Sequence, residues 1–153
     1  FRKSIVWLDI DTEIWKFPKL LFEDHDFAIY NWLADKDHHL DGKIPYDPKS
    51  KSLFCSGGVQ KYRYTAPSIH LLLNWINTLK EEKNKFMEDD PCLDIAFNKG
   101  NFDLKTLWLP KTYNRMDKHS SYWSSIPNES VYINHNYMAG KHRNASSKTN
   151  KGF

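Results

Sequence analysis

The chain has 153 residues, a net charge of +3, 40% hydrophobic and 15% aromatic residues, which suits one globular domain with a core and excludes a disordered chain. No apolar run reaches about 18 residues, so the sequence holds no transmembrane helix, and no signal-peptide pattern opens it. Its first residue is Phe1 rather than Met, so it reads as a piece of something longer, with any targeting segment upstream.

In chain order, residues 4–10 read as a buried strand, apolar, β-branched and aromatic. Pro18 opens one helical turn over 18–22, and "FAIYNW" at 27–32 reads as a second strand. Residues 33–51 form a long polar loop, of a length that points to function or mobility. "SLFCSGGVQ" at 52–60 reads as a third strand interrupted by Gly57 and Gly58. A helix starts near Ala66-Pro67, with Ile69, Leu72, Leu73, Ile76 and Leu79 on one face. A second helix opens at "EDDPC", carries Leu93, Ala96 and Phe97, and closes at Gly100. "LKTLWLP" and "SVYINH" read as two short strands, and the polar residues 144–153 as a frayed, flexible basic tail. Strands alternating with helices indicate an α/β fold, with no repeat and no internal domain boundary.

Two cysteines, Cys55 and Cys92, form neither a disulfide framework nor a metal site and read as buried thiols. Charge is unevenly spread. Residues 23–41 carry six acids against one Lys, while residues 141–151 carry Lys141, Arg143, Lys148 and Lys151 with no acid. These are solvated segments or, at the basic end, a contact for an anionic ligand. The other basic residues are scattered among acids, which argues against a nucleic-acid groove.

Four pieces carry chemistry. Asp9 and Asp11 end the first strand; on a continuing strand they share a face, and a hard divalent cation is the usual way to hold two such carboxylates together. The alternative is that one caps the next turn and the other is solvated. Gly57 and Gly58 mark a bulge, or a floor on which a ligand lies flat. Asp90, just before Pro91, reads as a helix N-cap, which leaves Asp89 with no structural task. His135 ends the last strand and precedes Gly140, Lys141, His142 and Arg143. Such a His can complete a metal site of carboxylates or be satisfied structurally, and a Gly-Lys pair in a basic loop can hold a phosphate.

In this order, "VWLDIDTEIWKFP", "LFCSGGVQKYRYTAPSIHLLLNWI", "EDDPCLDIAFN", "LKTLWLPKTYNRM" and "INHNYMAGKHR" resemble the catalytic half of the nucleotide-diphospho-sugar transferases, DxD glycosyltransferases of the GT-A fold. The resemblance spans about residues 4–143. It implies a GT-A-like (Rossmann-like) mixed sheet flanked by helices, with residues 1–143 as the catalytic part and without the family's N-terminal nucleotide-binding βαβ portion. It implies transfer of a sugar from a nucleotide-diphosphate sugar (a UDP- or GDP-sugar) to a hydroxyl of a glycan, protein or lipid, with Mn²⁺ or Mg²⁺. Asp11 and His135 would bind the metal, and Asp9 would bind it through water or hold the donor's ribose or sugar. Gly140 and Lys141 would contact the diphosphate, and Gly57 and Gly58 would lie beside the sugar. Asp89 would sit at the donor sugar or acceptor hydroxyl, with Asp89 or Asp90 as the base if the reaction inverts. The Gly-Lys pair is followed by His-Arg where some relatives have Pro-Trp. The implied location is the cytoplasm for a bacterial or viral protein and the Golgi lumen for a eukaryotic one with an upstream anchor; the sequons at Asn128 and Asn144 barely bear on this.

Two other readings compete. Haloacid-dehalogenase-type phosphatases also place a hydrophobic strand before DxD, but Glu13 stands where Thr or Val is expected, and the acidic pair follows a polar run instead of ending a strand. A non-catalytic binding domain derived from the GT-A fold is the other.

Overall fold

The computed structural model describes residues 3–36, 46–47, 49–100, 102–116, 123 and 125–136. Seven strands and two α-helices lie among them: β1 (Ser4–Leu8), β2 (Thr12–Ile14), β3 (Phe27–Asn31), β4 (Cys55–Arg63), α1 (Ala66–Lys80), α2 (Asp89–Lys99), β5 (Thr106–Trp108), β6 (Arg115–Met116) and β7 (Ile133–His135). The fold is mixed α/β with two sheets. The larger has the order β1-β4-β3-β5, the smaller β2-β7-β6. Only the β3–β5 and β6–β7 pairs are parallel; β1–β4, β3–β4 and β2–β7 are antiparallel.

Three layers result. Strand β3 is buried throughout, as its unbroken apolar run requires. Its Phe27 and Ile29 pack with Tyr62, Leu71 and Leu93 against α1 and α2. Its Ala28 packs on the other side with Val59, Leu109, Tyr113 and Ile133, against the small sheet. Lys61 lies fully buried in this centre and donates from Nζ to the carbonyls of Glu23 and His25, at 2.5 and 2.9 Å. Burial holds this ammonium below the usual lysine range. Lys61→Ala removes a packed stem and both donors together. It should lower stability by about 2–4 kcal/mol, read as a shifted urea midpoint at unchanged slope.

Several expectations need correction. The first strand is not buried: it stops at Leu8, and Ile5, Val6 and Trp7 are 61%, 37% and 53% exposed, because β1 is an edge strand paired only with β4 among the described residues. The third strand runs from Cys55 to Arg63 instead of 52–60. The inward face of α1 is Ser68, Leu71, Leu72, Trp75 and Thr78, rotated from the expected stripe, and Leu73, Ile76 and Leu79 stay exposed. Alternative apolar stripes of equal spacing exist on this helix, and periodicity alone does not choose between them. Helix α2 opens with Glu88 in the cap position, so Asp90 lies inside the first turn and is not the N-cap. Its side chain has other work.

That work is a ladder between helix and strand. Opposite Val59, β1 ends, and the amides of Leu53, Cys55 and Gly57 lie beyond its reach. Helix α2 takes them: Gly57 N–H donates to Asp90 Oδ2 (2.9 Å), Cys55 N–H to Asp94 Oδ1 (2.9 Å) and Leu53 N–H to Asn98 Oδ1 (2.7 Å). Asn98 Nδ2 returns a bond to Leu53 O at 2.8 Å. The match is geometric. Four helical residues rise about 6 Å and two strand residues about 6.6 Å, so every fourth side chain of α2 meets every second amide of β4. Backbone donors that would be orphaned at a strand end are thereby satisfied.

Candidate metal centre

Strands β1, β3 and β5 end on the same side of the large sheet, where β4 begins. The DxD residues lie there, but not on a strand. They occupy the turn between β1 and β2, closed by Thr12 N–H and Oγ1–H donating to Asp9 O at 3.1 and 2.7 Å. Ile10 points fully to solvent between them. Asp9 N–H donates to Gly58 O (3.0 Å) and Asn136 N–H to Asp11 O (2.8 Å), so the turn is pinned to β4 on one side and to the end of β7 on the other. The pairing of Thr12 with His135 across β2 and β7 then brings the His beside Asp11.

The result is a three-residue cluster. His135 Nε2 lies 2.6 Å from Asp11 Oδ1 and 3.5 Å from Asp9 Oδ2, and one donor atom from each side chain falls within 4.8 Å of the others. His135 is 8% exposed. Asp9 and Asp11 are half-buried, so the cluster opens on its carboxylate side. Two hard oxygens and one imidazole nitrogen suit Mg²⁺ or Mn²⁺, whose adjacent ligands stand about 3 Å apart. At 2.6 Å His135 Nε2 and Asp11 Oδ1 lie within hydrogen-bond distance, closer than two ligands of one cation stand.

Gly57 and Gly58 separate this cluster from α2. The β3–β4 register jumps here, from Ile29 opposite Gln60 to Tyr30 opposite Ser56, so the bulge reading holds. The glycines serve two faces. A Cβ on Gly57 would stand 1.9 Å from Asp90 Oδ1; one on Gly58 would stand 2.8 Å from His135 Nδ1 and Cε1. With no side chains at either position, α2 presses on β4 from one side and β7 from the other.

Asp90 is the acidic residue that belongs here. Burial pushes its carboxyl up to about 7, against the Gly57 hydrogen bond, and the charges of Asp89, Asp94 and Asp9 add to the rise. Burial pushes Asp94 up to about 6. Asp89 is exposed at the start of α2, and its carbonyl accepts from Trp75 Nε1–H at 3.1 Å. A carboxyl whose folded pKa lies above its unfolded value binds its proton more tightly in the folded state. Its stabilisation is complete below about pH 4 and fades as pH rises through 6 to 7, by at most about 1.4 kcal/mol per pH unit for each group. Asp90→Asn keeps an acceptor for Gly57 N–H and should flatten this fall by one proton. Urea unfolding at pH 5 and pH 8 checks it; an unchanged pH slope contradicts it.

The structure thus brings Asp9, Asp11 and His135 together, with Gly57, Gly58 and Asp90 behind them, and leaves Asp89 at the rim. Gly140 and Lys141, with the basic tail from residue 144, lie outside the described residues. Sequence reasoning missed Asp94, although its spacing of four from Asp90 was a helical-face signal. It also missed Asn114, which sits against Gly58 and carries no motif. Both cysteines are free and buried, as expected. Cys55 lies among carboxylates, and burial with those charges raises its thiol far above the usual range. A separate cleft of about 320 Å³ opens at the ends of β3 and β5, lined in part by Tyr30, Asp35, Tyr46, Trp108 and Lys111.

No protein-family model, no curated protein and no solved structure matches this chain. Among the described residues, no helix is long and apolar enough to cross a membrane.

Proposed function

We propose that the protein is a metal-dependent glycosyltransferase, moving a sugar from a nucleotide-diphosphate sugar to a hydroxyl acceptor. The observation that supports this reading best is the meeting of Asp11 and His135, 124 positions apart in sequence, at 2.6 Å with Asp9 beside them. In this reading Asp11, His135 and Asp9 hold one Mn²⁺ or Mg²⁺. When bound, the cation supplies positive charge to a leaving diphosphate, the largest electrostatic demand of the reaction. The carboxylate side of the cluster is open to receive that diphosphate, and Lys141 adds a second positive charge to it. Asp89 or Asp90 would accept the proton of the attacking hydroxyl if the reaction inverts: Asp89 is exposed at the rim, and Asp90, its carboxyl pushed up to about 7, lies behind Gly57.

The phosphatase alternative gains nothing from the geometry. Its nucleophilic Asp would need a free carboxylate at the end of a strand, whereas Asp9 and Asp11 lie in a turn against His135.

Calorimetry with UDP and GDP, each with and without Mn²⁺, tests the transferase reading. Binding of one nucleotide should require Mn²⁺ and fall at least tenfold in Asp11→Asn, which keeps the size of the side chain. Equal binding with and without metal, or in both proteins, contradicts it. Release of phosphate from small phosphoesters would favour the phosphatase instead.

A further inference from the structure

Buried polar groups in folded proteins are nearly always hydrogen-bonded, so orphans concentrated at one place call for a reason. Asn114 is fully buried, directly before β6, and among the described residues neither its Oδ1 nor its Nδ2 has a partner. Among the same residues, Nδ1 of the buried His135 has none either. Two of these atoms, His135 Nδ1 and Asn114 Oδ1, lie beside one glycine. The point where a Cβ on Gly58 would stand is 2.8 Å from His135 Nδ1 and 3.3 Å from Asn114 Oδ1, so the two atoms are at most about 6 Å apart, the span of one bridging water. The strand pairing agrees. Met116 of β6 stands opposite His135 of β7, and Asn114 directly precedes β6.

We propose that Asn114 is the positioning residue for His135, bonding its Nδ1 through one bridging water. The water, held by the Asn114 amide, fixes the plane of the ring and keeps Nε2 turned toward Asp11, 2.6 Å away, where a divalent cation would bind. Metal-bound histidines are regularly oriented by an acceptor at the second ring nitrogen, and removing it typically weakens metal binding ten- to a hundredfold. An amide can hold that water as donor or acceptor, and an aliphatic side chain can do neither. The inference rests on the metal reading of Asp9, Asp11 and His135 for the effect on cation binding, but not for the contact between Asn114 and His135.

The experiment compares wild type with Asn114→Leu and Asn114→Asp, both close in size to Asn, using long-range ¹H–¹⁵N correlation of the imidazole ring and calorimetry with Zn²⁺ as a diamagnetic probe. In metal-free wild type, His135 should show a hydrogen-bonded Nδ1, and Asn114→Leu should move the Nδ1 resonance toward that of an unbonded nitrogen. Asn114→Leu should lose about tenfold or more in Zn²⁺ affinity, and Asn114→Asp, which retains the acceptor, should keep it within about threefold of wild type. Unchanged His135 resonances in folded Asn114→Leu overturn the proposal. So does equal Zn²⁺ affinity in wild type and Asn114→Leu. If wild type binds no Zn²⁺, the metal reading fails, while the metal-free spectra still decide whether Asn114 bonds His135. If the Leu variant does not fold, the wild-type spectrum decides: an Nδ1 resonance at the position of an unbonded nitrogen overturns the proposal.

Discussion

Gly58→Ala is expected to abolish cation-dependent binding without touching any ligand atom. The new methyl would stand 2.8 Å from Nδ1 and Cε1 of His135 and 3.3 Å from Asn114 Oδ1, and carbon atoms do not pack that closely. The ring cannot retreat freely, because β7 is held between β2 and β6 and His135 is buried. It must swing, and the 2.6 Å contact with Asp11 goes with it. Stability should fall by about 1–3 kcal/mol, the usual cost of overpacking, and Mn²⁺ affinity by more than tenfold. Gly57→Ala is the control on the opposite face. Its methyl meets Asp90 Oδ1 and Gln60 Nε2, so it should cost stability but leave His135 and metal affinity within about threefold of wild type. Equal metal affinity in Gly58→Ala and wild type would show that His135 does not depend on the bare backbone beneath it.

The second large effect is on the ladder from α2 to β4. Truncating Asp94 and Asn98 to Ala together leaves the amides of Cys55 and Leu53 and the carbonyl of Leu53 without protein partners, although Cys55 and Leu53 are buried. Each unsatisfied buried group costs about 1–3 kcal/mol. Asn98 is exposed, so water replaces part of its share, and the double variant should lose about 3 kcal/mol. Asp94→Asn should be neutral or stabilising at pH 8, because it keeps an acceptor and removes a carboxylate that burial holds up to about 6. Hydrogen exchange at Leu53 and Cys55 localises the effect: protection lost at these amides while Phe27 keeps its own supports the ladder, and protection unchanged at Leu53 and Cys55 contradicts it.

The legible parts of this fold were those with long periodic or punctuated signals. Helix α2 was readable from its acidic start and Gly100, and β3 from an apolar run that is buried on both faces. The strands that assemble the candidate centre were not. β2, β6 and β7 are three, two and three residues long, too short for a period to register. The pairing of β2 with β7 joins residues more than a hundred positions apart, such as Thr12 with His135. The DxD motif singled out Asp9 and Asp11 with the wrong local geometry, since the two converge through a turn instead of a shared strand face. Ser4–Leu8 misled because apolar content signals burial only where another layer covers it. Asp90 looked like a cap because Pro91 marks helix starts, while the amide it serves belongs to a strand 33 residues earlier.

The central claim is that Asp9, Asp11 and His135 form one cation site. Anomalous diffraction from crystals grown with millimolar Mn²⁺ tests it most directly. The account predicts one manganese peak at about 2.0–2.4 Å from a carboxylate oxygen of Asp11 and from Nε2 of His135, with the Asp9 carboxylate bound directly or through one water. Density showing Asp11 and His135 still hydrogen-bonded to each other, with manganese absent from between them, would contradict it.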